Sequence, residues 1–528
     1  MHEIPKFAIP DMRSFVPEKL RPWIVILFMI IFQLSGAGIY MAASVEMAGA
    51  TALMQQDILM IGYASMAGMA LTFALMFRLK FRYTTFQAFM ICCSVVIVGN
   101  IICMYSKCVP LMVIVSFIAG FFRMWGIFTC NSSVQLWITP KRDMSIFFCY
   151  IYLQVQMGIQ LSGLMTMHIA HHAMWEYMHY AIIALLLLVM LTVLCIYHNW
   201  RVIPKLPLYG VDWLGALLWG GVMLCVIFVC LYGDYYDWYD SSEIRIASGA
   251  ALLMVGLNLW RASFIRHPFV GLKTWLQKPI YLTMLLYLVV DLLIAPSHMF
   301  EHMYVEAILG YDALHAVSLN WFALAGSVVG AIFTYFTFAK NKWRYRVMSL
   351  IGFTSIVLYL VIFYFLIDYN LPKEAFILPI FLRGFGYVVI AIVFLTALTK
   401  IPFNIFFQTV SMQGWISAAC GGVIGTAILG EWFQKTIAKN SMLLTANMDA
   451  LNTQVNPMNF CQIYGASQLQ AMLLSMKEIY GWLTILGVLC IVLFLFHQSS
   501  LRPKSIHPKY FTIWKAIRSE VSRVKSDS

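Results

Sequence analysis

Charged residues are scarce in this sequence. Asp, Glu, Lys and Arg together make up 11% of the 528 residues, whereas hydrophobic residues make up 62%. The apolar residues are spread along the whole chain rather than confined to one or two blocks, and the mean hydropathy is +0.80. No stretch is therefore long and polar enough to form a separate soluble domain, a DNA-binding module or a cytosolic enzyme. The composition predicts a protein whose solvent is lipid.

Several sequence motifs of enzymes and ATP-driven pumps are missing. We find no Gly-rich phosphate loop, no Ser/His/Asp constellation and no HExxH pattern, which argues against ATP hydrolysis and against catalysis within the membrane. The twelve cysteines lie mostly in apolar runs, without a CxxC pair or a metal-ligand spacing, and we interpret them as free thiols. We therefore expect no enzyme activity, no bound metal and no cofactor.

Long apolar runs define the predicted topology. A hydrocarbon layer about 30 Å thick requires roughly 20 helical residues. Fourteen runs of that length, bounded by charge, Pro or Gly, predict an all-α polytopic membrane protein. The predicted spans are 23–45, 58–77, 84–104, 109–136, 143–169, 175–197, 211–232, 244–264, 279–300, 314–337, 345–367, 375–398, 404–430 and 479–497.

The distribution of Lys and Arg predicts the orientation. An even number of spans places both termini on one side of the membrane. Only six of the 35 Lys and Arg residues fall in the loops of the opposite side, namely Lys107, Arg245, Lys373, Lys435, Lys439 and Lys477. Because positive residues remain cytoplasmic, we expect cytoplasmic termini, with residues 1–22 as a cytoplasmic N-terminal segment. The basic tail, 498–528, is then expected to lie along anionic headgroups, with a partner-binding role as the alternative.

Four segments resemble those of a known transporter family. They are GDYYDWYDSSEI at 233–244, HPFVGLKTWLQKPIYL at 267–282, HMYVEAILGYDALHAVSLNW at 302–321 and GGVIGTAILGEW at 421–432. Together with the fourteen spans, they are similar to the EmrB/QacA type of drug:proton antiporter, the branch of the major facilitator superfamily that has fourteen spans. In that family the first segment corresponds to an outside loop, the second to the entry into the second half, and the fourth to the stretch before a long outside loop. The third, 302–321, resembles the family's Tyr-Leu-Gln-x-x-x-Gly-Tyr-Ser-Ala-Leu-x-Ala-Gly segment.

The resemblance implies a fold and a function. The expected fold has two six-helix bundles, 23–197 and 279–497, two additional helices within 211–264, and a central cavity that opens alternately to each side. The expected activity is export of hydrophobic or amphipathic small molecules across the inner membrane, with the proton gradient as energy source. Members of this type often work with a periplasmic adaptor and an outer-membrane channel. The long outside loop 431–478, or the loop at 233–243, is the expected docking point.

The first half departs from the family pattern. The expected acid of the first span is missing from FQLSGAGIYMAASVEM, 32–47, where Gln33 is among the few polar residues. The loop FRLKFRYTT, 77–85, lacks the family's Asp and glycines, and the motif expected in the fourth span keeps only Gly120. These differences motivate an alternative: a transporter-like membrane protein without proton coupling that acts as a ligand-binding or scaffold component.

Three ionisable residues lie deep in predicted spans, where such groups are rare unless they are paired or hydrated. Asp291 is the sole acid of this kind, and we predict that it exchanges protons in a water-reachable cavity between the bundles. Its alternatives are a structural ion pair or a hydrogen-bonded kink near Pro296. Arg123 and Arg383 are the predicted charge partners of Asp291; Arg383 is equally compatible with a packing role beside Gly384.

A second set of residues is predicted by position alone. His298, Glu301, His302 and Glu306 follow Asp291 and are candidates for a proton path, with an ordinary hydrated helix end or a metal site as alternatives. Candidates for the substrate cavity are Gln33, Gln156, Gln160, Tyr287 and Trp321. For Gln156 and Gln160 the alternative is packing against a neighbouring helix. For the two aromatic residues the alternative is the core or a lipid-facing surface.

Overall fold

A computed structural model of the chain describes residues 12–36, 38–140, 143–199, 211–265, 268–271, 277–368, 371–399, 401, 403–446 and 460–496. The described residues are almost entirely helical, and their only β-type pairing is an isolated bridge between Met12 and Tyr197. The predicted N-terminal segment is described only from residue 12 onward. The predicted basic tail, 498–528, lies outside the described residues.

The helices follow the predicted spans closely, and most of them extend further at one or both ends. They are α1 Arg21–Leu34, α2 Gly38–Ala42, α3 Ser44–Thr51, α4 Gln55–Arg82, α5 Thr85–Tyr105, α6 Val109–Ile138, α7 Met144–His172, α8 Glu176–Ile196, α9 Trp213–Tyr232, α10 Ser242–Phe264, α11 Lys278–Ile294, α12 Pro296–Met303, α13 Ala313–Ser318, α14 Asn320–Thr334, α15 Tyr345–Leu366, α16 Ile377–Leu398, α17 Phe403–Gly414, α18 Gly421–Thr445 and α19 Phe460–Phe496.

Thirteen helices in the described part of the chain are long and apolar enough to cross a membrane. Some of them combine several of the segments above. A π-helical turn follows α12, a second follows α14, and a third joins α17 to α18. Large apolar side chains project from their surfaces: Leu217 is 70% exposed and Leu252 is 75% exposed. Such surfaces are stable in lipid rather than in water, so the chain is a multi-pass membrane protein.

The first predicted span, 23–45, is not continuous. Helix α1 ends at Leu34, and two short helices, α2 and α3, follow it. Two glycines allow neighbouring side chains to pack closely against the break. A Cβ added at Gly36 would collide with the guanidinium of Arg123, and one at Gly38 would collide with the hydroxyl of Ser162. The Ser162 hydroxyl also donates a hydrogen bond to the carbonyl oxygen of Leu34 (3.2 Å), which satisfies a group that the helix leaves free.

The helices form two packed groups around separate hydrophobic clusters. One cluster draws mainly on α1–α10 and the other mainly on α11–α19. Helices α4, α5 and α6 pack together in the first group, and α14, α15 and α16 do so in the second. The groups meet where α4 contacts α17 and where α7 contacts α14 and α16. The domain boundaries expected from the sequence stay predictions.

The long outside segment 431–478 is mostly helical rather than a loop. Helix α18 continues to Thr445 and α19 begins at Phe460, so the two transmembrane helices project beyond the predicted span ends. The projections pack on each other, since the Asn440 amide donates to the Ser475 hydroxyl (3.0 Å) and the Lys439 ammonium lies 3.1 Å from the Glu478 carboxylate. Residues 447–459 of this segment lie outside the described residues.

The two additional helices, α9 and α10, connect to both groups at one end of the molecule. The Tyr232 hydroxyl donates to the carboxylate of Asp57 at the start of α4. On the other group, the Trp238 indole donates to Glu431 (2.9 Å) and the Gln434 amide donates to Asp234 (2.9 Å). Following the charge-derived orientation, we call this end the outer end and the opposite end the inner end.

Candidate functional site

Asp291 lies in α11 at the contact with α18. Its residue exposure is 7%, and its Oδ2 is buried with no hydrogen-bond partner among the described residues. The close approach depends on glycine, because a Cβ added at Gly421 would collide with the Asp291 carboxyl group. The carboxyl group is therefore shielded from solvent in this conformation, and its predicted exchange of protons stays a prediction.

A cluster of hydroxyl and amide groups joins the two helix groups near Asp291. The Tyr152 hydroxyl of α7 lies 3.4 Å from the Tyr287 hydroxyl of α11 and accepts a hydrogen bond from the Gln413 amide (3.2 Å). The Tyr287 hydroxyl also lies 3.0 Å from the carbonyl oxygen of Ala391, to which it donates. Asp291 lies within electrostatic range of both tyrosines. A movement of one helix group against the other would therefore change the surroundings of this carboxyl group.

Arg383 does not pair with Asp291. Its guanidinium lies 2.5 Å from the Glu301 carboxylate, and both side chains are 12% exposed. The Tyr359 hydroxyl donates to the same carboxylate (2.7 Å). The sequence predicts Asp291 as the partner of Arg383 because Asp291 lies deeper in its predicted span than Glu301 does. Glu301 lies within α12, which continues past residue 300, the predicted end of the span, and there it pairs with Arg383.

The remaining proton-path candidates lie on the same continuation. His298 is exposed and lies within electrostatic range of Arg383 and His302. The His302 ring lies 3.6 Å from the Glu306 carboxylate, one helical turn further on. Within the part of the chain that the structure describes, no group of three or more His, Cys, Asp or Glu residues could hold a metal ion.

Arg123 is buried in the first helix group, with a residue exposure of 5%. One guanidinium nitrogen lies 3.2 Å from the Met69 sulfur, and Nε has no hydrogen-bond partner among the described residues. The guanidinium borders a cavity of about 20 Å³ next to the break after α1. Neither Arg123 nor any other described residue forms an ion pair with Asp291.

The substrate-cavity candidates differ in burial. Gln156 is buried and Gln160 is half-buried on α7. Gln33 is half-buried and packs against α7, where a Cβ at Gly158 would collide with its side chain. Tyr287 is fully buried in the polar cluster described above, whereas Trp321 is 50% exposed near the start of α14. Their roles stay predictions.

The inner end holds an ion pair that the sequence analysis missed. The Lys342 ammonium of the second group lies 2.6 Å from the Asp143 carboxylate, which precedes α7 of the first group, and 3.3 Å from the Ser145 hydroxyl. Burial acts to raise the pKa of Asp143, but the hydrogen bonds from Lys342 and Ser145 outweigh burial and hold the pKa below its ordinary value. The residues are 199 positions apart, so sequence spacing carries no signal of the contact.

Aromatic rings of the two helix groups also contact each other at the inner end. The Phe407 ring at the inner end of α17 lies 6.1 Å from the Phe77 ring of α4 and 6.3 Å from the Phe128 ring of α6. Together with the Lys342–Asp143 pair, these contacts hold the two helix groups together at the inner end in this conformation.

Comparison with solved structures shows the fold. No family model matches the chain, and no curated protein sequence matches it significantly. A structure described as the peptide transporter POT in complex with sulfate is similar, with a TM-score of 0.60 and 15% identity. The match covers 96% of this chain and 100% of that one. At this identity the similarity shows a major facilitator fold and nothing more specific.

Two further structures support the same fold. One is described as a POT family transporter in complex with 5-aminolevulinic acid, with a TM-score of 0.56, 14% identity and coverage of 92% of this chain and 99% of that one. The other is described as the nucleoside transporter NupG, with a TM-score of 0.52, 11% identity and coverage of 90% of this chain and 100% of that one. The fold expected from the sequence is therefore confirmed, while the narrower resemblance to drug:proton antiporters stays a prediction.

Proposed function

We propose that this protein is a secondary transporter that moves small organic molecules by alternating access, coupled to protons through Asp291. The observation that carries the proposal is a buried carboxyl group whose Oδ2 has no hydrogen-bond partner among the described residues, at the contact between α11 and α18 and within electrostatic range of Tyr152 of the other helix group. An unpaired carboxylate in such a place is costly, so this conformation favours the protonated group. A conformation that separates the groups would hydrate the carboxyl group and allow it to release the proton.

The Glu301–Arg383 pair offers a second place for proton binding. Both side chains retain 12% exposure and are therefore more accessible than Asp291 in this conformation. A proton on Glu301 would break its ion pair with Arg383, whereas a proton on Asp291 breaks no such pair. The two sites are therefore distinguishable by substitution.

We propose export of hydrophobic or amphipathic molecules across the inner membrane, with cytoplasmic termini, as the resemblance and the charge distribution indicate. The structural neighbours are described as transporters of peptides and nucleosides. A test of substrate class must include those molecules as well. Docking of a periplasmic adaptor and an outer-membrane channel on the projecting ends of α18 and α19 is a further part of this proposal.

Transport in proteoliposomes under an imposed pH gradient tests the proposal. The probes are ethidium, a neutral dipeptide and uridine, each measured with and without the gradient. We expect gradient-driven movement of at least one probe. Asp291→Asn keeps the size of the side chain but cannot exchange a proton, so it should abolish gradient-driven accumulation while exchange of probe without a gradient persists. Glu374→Gln, at an exposed position of the outer end, is the matched control.

Three outcomes would change the conclusion. Gradient-driven accumulation that survives Asp291→Asn removes Asp291 from the coupling mechanism. Loss of coupling in Glu301→Gln alone moves the proton site to the Glu301–Arg383 pair. If the protein binds a probe and never moves it, the alternative of a ligand-binding or scaffold component is favoured. That alternative is consistent with the low exposure of Asp291.

A further inference from the structure

A small polar cavity lies inside the first helix group, next to the break between α1 and α2. Its volume is about 20 Å³. By the same measure, a cavity of about 10–15 Å³ holds one water molecule. The polar residues that line it come from four helical segments and from the break itself; they are Ser35, Tyr40, Ser65, Asn100, Ser116 and Arg123. The space therefore suits a small ion or water rather than a drug-sized solute.

The cavity carries an unbalanced positive charge. Arg123 is 95% buried, and none of the lining residues is Asp or Glu. Among the described residues, its guanidinium lies 3.2 Å from the Met69 thioether sulfur, which carries no formal charge, and its Nε has no hydrogen-bond partner. A buried guanidinium without a counter-charge is strongly unfavourable, because an arginine does not lose its proton in a protein.

The end of α1 supplies only part of the missing negative charge. Its free carbonyl groups point toward the break and form the negative end of the helix dipole. However, the Ser35 hydroxyl already donates to the carbonyl oxygen of Phe32 (2.8 Å), and the Ser162 hydroxyl already donates to that of Leu34 (3.2 Å). These carbonyl groups are therefore partly engaged with uncharged donors.

The lining groups are suited to holding an anion. The hydroxyl groups of Ser65 and Ser116 line the cavity together with the guanidinium, and hydroxyl and guanidinium N–H groups are all donors. We propose that this cavity binds a single monatomic anion of the size of chloride, with Arg123 as its charge partner. The bound anion would connect α6 to the break of α1 and stabilise the first helix group.

Direct binding of radiolabelled chloride to the full-length protein tests the proposal. The protein is purified in a detergent buffer in which gluconate replaces chloride, and binding is measured by scintillation proximity. We expect saturable binding of one chloride per chain, which bromide displaces more readily than the larger acetate does. Arg123→Gln should weaken binding at least tenfold. Arg261→Gln, at an arginine that already pairs with Asp212 (2.9 Å), should leave binding unchanged.

A second variant tests the same cavity in case Arg123→Gln does not fold. Ser116→Val keeps Arg123 but replaces the Ser116 hydroxyl with a methyl group and adds a second methyl group to the cavity wall. It should therefore reduce chloride binding by a similar factor while the protein stays monodisperse in gel filtration. Absence of chloride binding in the unmodified protein would overturn the proposal. Equal binding in the unmodified protein and Arg123→Gln would also overturn it. Displacement by acetate as effective as by bromide would overturn the monatomic assignment.

Discussion

Removal of the Lys342 charge should open the inner end of the molecule. In Lys342→Met, the apolar stem is kept but the ammonium that lies 2.6 Å from Asp143 is lost. A hydrogen bond to a charged group contributes about 1.5–3 kcal/mol. The Lys342 side chain is 32% exposed, so solvent screening reduces the contribution to about 1–2 kcal/mol. Since about 1.4 kcal/mol corresponds to a tenfold change in an equilibrium, the inner-open population should rise roughly 5- to 30-fold.

Distances between the inner ends provide the assay. Spin labels at Lys80 of α4 and Arg344 before α15, introduced as a noncanonical amino acid, leave the twelve native cysteines in place. Pulsed electron paramagnetic resonance in nanodiscs should show a second, longer distance in Lys342→Met that is minor in the unmodified protein. Lys435→Met removes a similar pair at the outer end, where Lys435 is 74% exposed, and should not change the distances. The same distance distribution in Lys342→Met and the unmodified protein would refute the reasoning.

The Lys342–Asp143 pair also predicts how opening of the inner end depends on pH. The pKa of Asp143 is lowered in the closed conformation relative to its value in water, which is about 3.9. Because the pKa of Asp143 is lowered, the pair stabilises the closed inner end fully above about pH 4. The stabilisation is lost only as the pH falls through the lowered pKa of Asp143. Acidification from pH 7 to pH 5 should therefore leave the distances between the spin labels unchanged. An opening within that range would contradict the assigned role of the pair.

Two further substitutions test other contacts. Gly421→Ala places a Cβ against the Asp291 carboxyl group and should destabilise the protein by about 1–3 kcal/mol in thermal unfolding. Gly422→Ala is the control, because its nearest neighbour is 4.0 Å away; equal melting temperatures of the two variants would contradict the packing at Asp291. Trp238→Phe removes the hydrogen bond to Glu431 and should increase hydrogen exchange in residues 233–241, whereas Tyr239→Phe, at a 60% exposed residue, should not. Unchanged exchange in Trp238→Phe would mean that this bond does not hold the additional helices.

Part of the candidate site was predictable because intramembrane charges are rare. The sequence identified Asp291, Arg123 and Arg383 by depth alone, and all three are buried or nearly so. It could not identify their partners. Glu301 pairs with Arg383 because α12 continues the helix beyond Pro296. Tyr152 meets Tyr287 because α7 and α11 belong to different helix groups that pack together.

The amino-acid sequence by itself determined the helical class and the position of nearly every span. These properties follow from the length and polarity of local segments, which the thickness and low dielectric of the bilayer constrain directly. Only the tertiary structure decided where the first span breaks, which charges pair and which end of the molecule is closed. Those properties depend on contacts between residues far apart in the chain, such as Gly36 with Arg123 and Asp143 with Lys342, and no local pattern encodes such distances.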